Sequence, residues 1–319
     1  MKPCKVSIAI ATYNGGQFLR EQLDSLYIQS RKPDEVVVAD DCSTDDTQAI
    51  LEEYHQKKGL KYIVNDTTLG VNRNFEKAIR NCTGNYIAIC DQDDVWMPHK
   101  IQTCLSKLQE IENDEPACVS SQGIGVDRNL RETGNNHKVL SDSSGLKANL
   151  MGMHISQGCT MMMNRKLVEK LKEFPQKEFM YDAYIGLLAA CIGNKYNISE
   201  PLMYYRHHDS NVIGRVRKHV PLLPRIVNHI GIWKYNIPFD SIRFRCLSQL
   251  LDMHEEDMKS EARELIRDLL NFFGGGAFYK VKFILKEDSF NTVTKIRFVS
   301  RILATALLPV ALPRNDIDM

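Results

Sequence analysis

The segment NYIAICDQDD, residues 85–94, does most to decide the fold. A short apolar run bounded by turn residues is typical of a strand buried on both faces of a parallel sheet. Three carboxylates, those of Asp91, Asp93 and Asp94, follow directly where this strand ends. Clustered carboxylates repel one another unless a cation lies between them, so the pattern favours a metal site. The alternative is a solvated acidic turn that caps the next helix.

The same order of strand, polar loop and helix occurs three times before this segment. Strand patterns at 5–11, 35–39 and 61–64 each lead into a polar loop and a helical pattern. Such alternation predicts right-handed βαβ units and a Rossmann-like α/β class, with a mostly parallel sheet flanked by helices. Ligands of these sheets bind outside the carboxyl ends of the strands. The loops expected to meet there are Thr12–Asn14, Asp40–Asp41 and Asp91–Asp94.

Strand and helix patterns continue to residue 214, and helices dominate after it. A Gly-, Ser- and Asn-rich segment at 134–145 predicts a mobile loop over the acceptor side. We expect a catalytic domain at 1–214 and a helical C-terminal extension at 215–319. The further predicted elements are strands at 117–127, 155–163 and 196–205 and helices at 100–112 and 182–191.

Composition excludes two broad classes. The 319 residues are 43% hydrophobic and carry a formal net charge of +1, which fits neither a disordered chain nor a nucleic-acid binder with a strong positive field. The nine cysteines form no CxxC pair and are expected to be reduced thiols. The first residues lack the apolar core and cleavage site of a signal peptide, so we expect a cytoplasmic protein.

Two C-terminal segments, at 278–286 and 295–312, mix bulky apolar residues with lysine and arginine. The longest apolar run is too short for a membrane span and is interrupted by Arg301. We expect these segments to pack against the catalytic domain. Peripheral contact with the inner face of the cell membrane is the alternative.

The sequence lacks the usual glycine-rich phosphate-binding loops, so phosphate charge must be neutralised by other groups. The strand-end loops contain neither GxGxxG nor GxxxxGK[ST], the motifs of dinucleotide-binding dehydrogenases and P-loop proteins. A metal is left to neutralise phosphate charge. A few hard oxygen ligands suit Mg²⁺ or Mn²⁺, which take their remaining ligands from water and substrate phosphates.

Four segments together resemble the nucleotide-binding half of family 2 glycosyltransferases with the GT-A fold, and the resemblance extends over residues 5–214. It implies transfer of a sugar from a nucleotide-sugar donor with inversion at the anomeric carbon. The segments are IAIATYNGGQFLREQLDSL (8–26), VVVADDCSTDDT (36–47), TLGVNRNFEKAI (68–79) and YIAICDQDDVWMPHKI (86–101).

The resemblance also implies individual site residues. Asp93 matches the metal-binding aspartate, and Asp94 is expected to support its loop. His208, in YYRHHDSN (204–211), matches a histidine of bacterial rhamnosyltransferase-like members and is a second metal ligand or a phosphate donor, or else an ordinary surface histidine. Residues 157–160 resemble the wall of the donor-sugar pocket. The implied nucleotide-binding residues are Thr12, Tyr13, Asn14, Asp41, Gly70, Asn74 and Asp91.

An inverting transfer is a single displacement and needs one general base for the acceptor hydroxyl. Asp182 begins a helix after a proline-containing loop, where the family carries its acidic base, and is the predicted catalytic residue. The alternative is an N-terminal helix cap. Many relatives have Asp-Trp here, whereas Ala183 follows in this chain, a departure in the acceptor pocket.

The sequence therefore predicts a metal-dependent glycosyltransferase of cell-surface polysaccharide synthesis, such as O-antigen or capsule, that passes rhamnose or a related sugar to a glycan or lipid-linked acceptor. No nucleic-acid partner is expected. Two alternatives remain: a metal-dependent nucleotidyltransferase, whose usual N-terminal phosphate loop is missing, and a non-catalytic nucleotide-sugar-binding scaffold, which would not need Asp93 and Asp182.

Overall fold

The computed structural model describes most of the chain between residues 4 and 275. The chain divides into two compact units, Met1–Val216 with Met253–Ala262, and Arg217–Asp252 with Arg263–Met319. Most of the predicted 134–145 loop and both basic C-terminal segments lie outside the described residues. The described ranges are 4–110, 115–134, 146, 149–150, 157–175, 179–208 and 242–275.

Eight strands and a set of helices make up these ranges. The strands are β1 (Val6–Thr12), β2 (Glu35–Asp40), β3 (Lys61–Val64), β4 (Tyr86–Cys90), β5 (Val95–Trp96), β6 (Ala117–Val126), β7 (Met161–Asn164) and β8 (Asn194–Arg206). The α-helices are α1 (Leu19–Tyr27), α2 (Thr47–Lys58), α3 (Val71–Asn81), α4 (Lys100–Glu110), α5 (Arg165–Lys170), α6 (Tyr181–Ile192), α7 (242–254) and α8 (Ser260–Gly274).

The strands form one mixed sheet in the order β3-β2-β1-β4-β7-β6-β8-β5. The first four are parallel, as the βαβ pattern predicts. β7 is antiparallel to both β4 and β6, and β5 is antiparallel to β8, while β6 and β8 are parallel. The predicted α/β class is confirmed, and the antiparallel pairings of β5 and β7 are added to it.

The core around β1 explains why this strand has no polar face. Ile8 and Ile10 are fully buried and belong to the same apolar cluster as Leu19, Leu23 and Leu26 of α1. The spacing of these leucines, four and then three residues, places them on one face of the helix. Burying each of them stabilises the fold by about 1.5–3 kcal/mol. The sheet that carries the site is therefore rigid.

One predicted element is adjusted by the structure. Within the predicted strand at 155–163, the described residues form a 3₁₀ turn, Gly158–Thr160, followed by β7. The turn forms because the Thr160 hydroxyl and backbone N–H both donate to the carbonyl of Gln157. In the C-terminal part, where helices were expected, the described residues form α7 and α8. Among the described residues, no helix combines the length and apolar character needed to span a bilayer.

Candidate active site

The structure brings the three strand-end loops together at the carboxyl edge of the parallel sheet. The Thr12 hydroxyl donates to Asp40 at 2.7 Å, and the Asp41 N–H donates to the Thr12 carbonyl at 2.8 Å. The Tyr13 N–H donates to the Gln92 side chain at 2.9 Å. Thr12 is buried and its hydroxyl is engaged inside the protein, so a direct nucleotide contact by this side chain stays a prediction.

Gln92 joins the loop after β4 (Asp91–Asp94, the acidic loop) to the loop after β1 (Thr12–Asn14, the first loop) by two hydrogen bonds. Besides accepting from the Tyr13 N–H, its amide donates to the Tyr13 carbonyl at 3.1 Å. A Cβ on Gly15 would lie 2.3 Å from Gln92 Oε1, so only glycine leaves room for this clamp. Sequence reasoning gave Gln92 no role, although its place between two aspartates was the available signal. The clamp leaves the Tyr13 ring 54% exposed, free to stack on a nucleotide base.

Asn14 lies beside Tyr13 in a left-handed conformation, with φ of 47°. Its N–H donates to the Ser43 hydroxyl at 2.8 Å, and its side-chain oxygen accepts from the Thr44 N–H at 2.9 Å. Asparagine tolerates this backbone conformation better than most residues. Asn14 therefore fixes the first loop against the loop after β2.

Asp41 is buried and organises the loop that leads into α3. Its carboxylate accepts hydrogen bonds from Asn65 Nδ2 at 2.8 Å, Leu69 N–H at 2.7 Å and Gly70 N–H at 2.9 Å. A carboxylate has about four acceptor positions, which leaves roughly one for a base or ribose. Gly70 has φ of 81°, a backbone conformation that favours glycine.

Asn74 ties α3 to the ends of two strands. Its Nδ2 donates to the carbonyls of Thr12 at 3.2 Å and Ala39 at 2.9 Å, and its Oδ1 accepts from Asn65 at 3.0 Å. The side chain is buried and its hydrogen-bonding groups are engaged. In the structure Asn74 therefore holds α3 against the ends of β1 and β2, and its predicted contact with the nucleotide stays a prediction.

The acidic loop after β4 gathers ligand atoms in one place. Oxygen atoms of Asp91 and Asp94 and the sulfur of Cys159 all lie within 4.8 Å of one another. Burial raises the pKa of both Asp91 and Asp94, and repulsion from neighbouring carboxylates, Asp93 among them, raises it further. Asp94 Oδ2 is buried without a hydrogen bond among the described residues. Such carboxylates favour a neighbouring cation.

Asp93 and His208 lie side by side, with Asp93 Oδ2 2.8 Å from His208 Nε2. The Asp93 and His208 side chains are 15% and 14% exposed, so each is mostly buried but retains some contact with solvent. The Phe18 ring packs against the His208 ring at 4.9 Å between centroids. Carboxylate oxygen and imidazole nitrogen are suitable ligands for Mn²⁺, and carboxylate oxygen for Mg²⁺. The residues present therefore fit a divalent cation.

Arg206 supports this pair from inside the protein. The side-chain Nε of Arg206 donates to the backbone carbonyl of Asp93 at 2.7 Å, and the backbone N–H of Arg206 donates to Asp94 Oδ1 at 3.0 Å. Its buried guanidinium also lies over the Phe18 ring at 4.6 Å and forms an ion pair with Glu21. Sequence reasoning included Arg206 in a quoted motif but gave it no role.

A second buried cation, Lys100, lies beneath the acidic loop. Its Nζ donates to the Cys159 carbonyl at 2.9 Å and lies 4.6 Å from the centre of the Trp96 ring. Sequence reasoning missed it because a lysine at the start of an amphipathic helix is normally exposed. The positive charge of Lys100 opposes the effect of burial, which raises the pKa of the Cys159 thiol.

Asp182 lies at the N-terminus of α6 and is 8% exposed. Its Oδ1 accepts from the Ala183 N–H at 2.8 Å, and its Oδ2 accepts from the Gly158 N–H at 3.3 Å. Burial raises the pKa of Asp182 to about 6, although these backbone hydrogen bonds oppose the rise. The carboxylate is thus ionised at neutral pH yet more basic than an exposed aspartate, which suits a general base.

Gly158 is explained by a neighbouring side chain. A Cβ at this position would lie 2.0 Å from the Tyr181 hydroxyl. The same hydroxyl interacts with the Asp91 carboxylate. The space that glycine leaves is therefore filled by Tyr181, and the proposed donor-sugar wall at 157–160 stays a prediction.

The carboxylates and amides gathered at the carboxyl ends of the parallel strands occupy the edge at which α/β sheets of this kind bind their ligands. The chain belongs to glycosyl transferase family 2, because the model of that family matches residues 7–172, just over half of its length. The family predicted from the sequence motifs is confirmed.

Similar proteins include named and unnamed transferases. An uncharacterised glycosyltransferase of Methanocaldococcus jannaschii is 29% identical over 227 residues, 67% of this chain and 74% of that protein. The dTDP-rhamnosyl transferase RfbG of Shigella flexneri is 27% identical over 64% of this chain and 73% of its own. Chondroitin synthase of Escherichia coli is 27% identical over 72% of this chain, which spans only 34% of that longer protein.

Solved structures share the fold. S. aureus TarS 1-349 in complex with UDP-GlcNAc has a TM-score of 0.56 and 18% identity, over 95% of this chain and 91% of that one. Its complex with UDP has a TM-score of 0.56 and 19% identity, over 95% and 81% of the two chains. Identity this low supports a common fold and no more.

Proposed function

We propose that this chain is an inverting, metal-dependent glycosyltransferase that moves a sugar from a nucleoside diphosphate to an acceptor hydroxyl. The observation that carries the proposal is the buried carboxylate of Asp182, whose pKa is raised and which is close enough to Asp91 of the acidic loop to raise the pKa of that group. The general base and the group that holds the leaving diphosphate are thus separate sets of residues, as a single displacement requires.

The donor nucleotide binds at the three strand-end loops. The exposed Tyr13 ring stacks on the base, and the loop ordered by Asp41 and Gly70 lines its other side. Asp91, half-buried at the end of β4, accepts a hydrogen bond from a ribose hydroxyl. Asp93 and His208 would hold Mn²⁺ or Mg²⁺, and the bound cation would neutralise charge on the diphosphate leaving group.

Asp182 accepts the proton of the acceptor hydroxyl as the hydroxyl oxygen attacks the anomeric carbon. The bond between that carbon and the diphosphate oxygen breaks in the same step, and its electron pair leaves with the nucleotide. Attack from the side opposite the leaving group inverts the anomeric configuration. The backbone N–H groups of Gly158 and Ala183 hold the carboxylate in place while it takes up the proton.

Similarity to a dTDP-rhamnosyl transferase and to chondroitin synthase supports a role in cell-surface polysaccharide synthesis, with rhamnose or a related sugar as the transferred group. The acceptor is a glycan or a lipid-linked glycan. Such an acceptor fits a cytoplasmic enzyme in peripheral contact with the inner face of the membrane.

The test is a screen of UDP-, GDP- and dTDP-sugars by thermal shift and donor hydrolysis, with and without Mn²⁺. We expect one donor to stabilise the protein in the presence of Mn²⁺, and Asp93→Ala to lose this response. Asp127→Ala is the matched control, because Asp127 lies on an exposed turn and accepts only backbone hydrogen bonds there. NMR of the product should show an inverted anomeric centre. No response to any nucleotide sugar, or retention of configuration, would contradict the proposal.

A further inference from the structure

The N-terminus of α6, which carries Asp182, is held by one buried side chain of α3. Asn72 is 6% exposed, and its Nδ2 donates to the carbonyls of Pro175 at 2.7 Å and Phe179 at 3.0 Å. Its Oδ1 accepts from the Tyr181 N–H at 3.0 Å. One amide thus joins two points of the loop before α6 and the first residue of the helix itself.

The rest of α3 strengthens this attachment. Phe75, almost one turn further along, stacks on the Tyr181 ring with centroids 4.1 Å apart. The Glu76 carboxylate accepts from the Phe174 N–H at 3.1 Å. These contacts hold the sides of the loop, whereas only Asn72 among them reaches the backbone of the residue next to Asp182.

The start of the same helix is also held by the loop after β2, on the proposed donor side. The N–H of Gly70, the residue before α3, donates to Asp41 at 2.9 Å, and the N–H of Leu69 does so at 2.7 Å. Asn72 follows Gly70 by two residues. A single rigid helix turn therefore connects the nucleotide-side loop with the start of the base-carrying helix.

Position matters here because proton transfer is sensitive to distance. A displacement of about 1 Å in a reacting group can cost on the order of 100-fold in rate. Without the Asn72 amide, two carbonyls and one N–H that are now paired at the start of α6 would lose their partner, and the loop would move to find others.

We propose that Asn72 is a positioning residue that sets the place of Asp182 relative to the donor. Asn72 acts through the backbone groups of Pro175, Phe179 and Tyr181 that it holds. The inference rests on the proposed function, since it takes Asp182 as the general base.

The test compares Asn72→Leu, close in size but without hydrogen bonds, with the wild type and with Asn81→Leu. Asn81 is an exposed residue of the same helix whose amide bonds only to the Lys77 carbonyl one turn back. We expect Asn72→Leu to lower kcat about 10- to 100-fold, with KM for the donor and Kd for UDP changed less than about twofold. Asn81→Leu should match the wild type.

Asn72→Asp keeps the size of the side chain and the bond from Tyr181 but loses the two amide donors. Its kcat should lie between those of the wild type and Asn72→Leu, and it takes the place of Asn72→Leu if that variant does not fold. Unchanged kcat, or a parallel loss of kcat and of UDP affinity, would overturn the inference. Asp182→Asn distinguishes failure of this inference from failure of the proposed function. If Asp182→Asn is inactive while Asn72→Leu is fully active, only the positioning role of Asn72 fails. If Asp182→Asn is fully active, the proposed role of Asp182 as general base fails.

Discussion

Two buried carboxylates, one at the amino ends and one at the carboxyl ends of the parallel strands, have pKa values shifted in opposite directions. Glu35, at the start of β2, accepts from Ser7 at 2.6 Å, Lys61 at 2.8 Å and the Thr83 N–H at 2.8 Å. Burial alone would raise its pKa, but these hydrogen bonds outweigh burial and lower the pKa to about 2. Asp94, after β4, has one oxygen without a hydrogen bond among the described residues, and burial raises its pKa.

The comparison shows how a fully paired buried acid differs from an incompletely paired one. At the amino ends of the strands the protein supplies hydrogen-bond donors to both oxygens of the carboxylate. At the carboxyl ends the partners are incomplete among the described residues, so ionisation of the carboxyl group stays unfavourable. Raised pKa values of incompletely paired, buried carboxylates are of the kind that clusters at active sites.

The largest effect is expected for Asp182→Asn. The amide keeps the shape of the side chain but removes the base, so kcat should fall about 10²- to 10⁴-fold while UDP binding is retained. Steady-state kinetics and a binding titration measure the two quantities. Glu35→Gln is the matched control from the other end of the sheet, and its kcat per folded molecule should equal that of the wild type.

The pH dependence of kcat/KM for the acceptor should report the same carboxylate. The pKa of Asp182 is raised by burial to about 6, and only the ionised form accepts a proton. The rate should therefore rise about tenfold per pH unit below pH 6 and level off above it. A flat profile between pH 5 and pH 7 would argue against Asp182 as the base.

The next effect concerns stability. Glu35→Gln leaves Lys61 and Thr83 without a charged partner and should lower the free energy of unfolding by about 1–3 kcal/mol. Because the folded pKa of Glu35 is depressed, its contribution is present above the unfolded value and is lost as pH falls towards about 2. Urea denaturation at pH 7 and pH 3 should show a smaller difference between variant and wild type at pH 3.

The smallest effect has the opposite sign. The folded pKa of Asp94 is raised, so its ionisation costs stability as pH rises, and Asp94→Asn should stabilise the metal-free protein by less than about 1 kcal/mol near pH 8. Melting temperatures of metal-free protein at pH 6 and pH 8 test this. A variant less stable than the wild type at pH 8 would show that Asp94 is as fully paired as Glu35.

The residues proposed to bind the donor nucleotide were predictable from the local sequence pattern. The residues proposed as general base and second metal ligand were predictable only in part. Asp41 and Asp91 follow apolar strands directly, so local pattern and sheet topology place them at one edge. His208 and Asp182 were found through resemblance to the family, because nothing in their local sequence brings them to that edge.

The supporting residues were missed for a physical reason. Asn72, Lys100 and Arg206 are polar side chains whose sequence neighbours predict exposed positions, yet all three are buried. The partners of these three side chains lie between 59 and 185 residues away along the chain. Only the packed tertiary structure shows that these partners exist.

The pairing of His208 with Asp93 joins residues that are 115 positions apart. The four parallel strands are complete at Cys90, so the growing chain has its donor-side loops long before it has His208. At ordinary rates of translation, this interval is on the order of ten seconds. During this interval the nascent chain carries the acidic loop without its histidine, so the pair between Asp93 and His208 forms only after residue 208 has been synthesised.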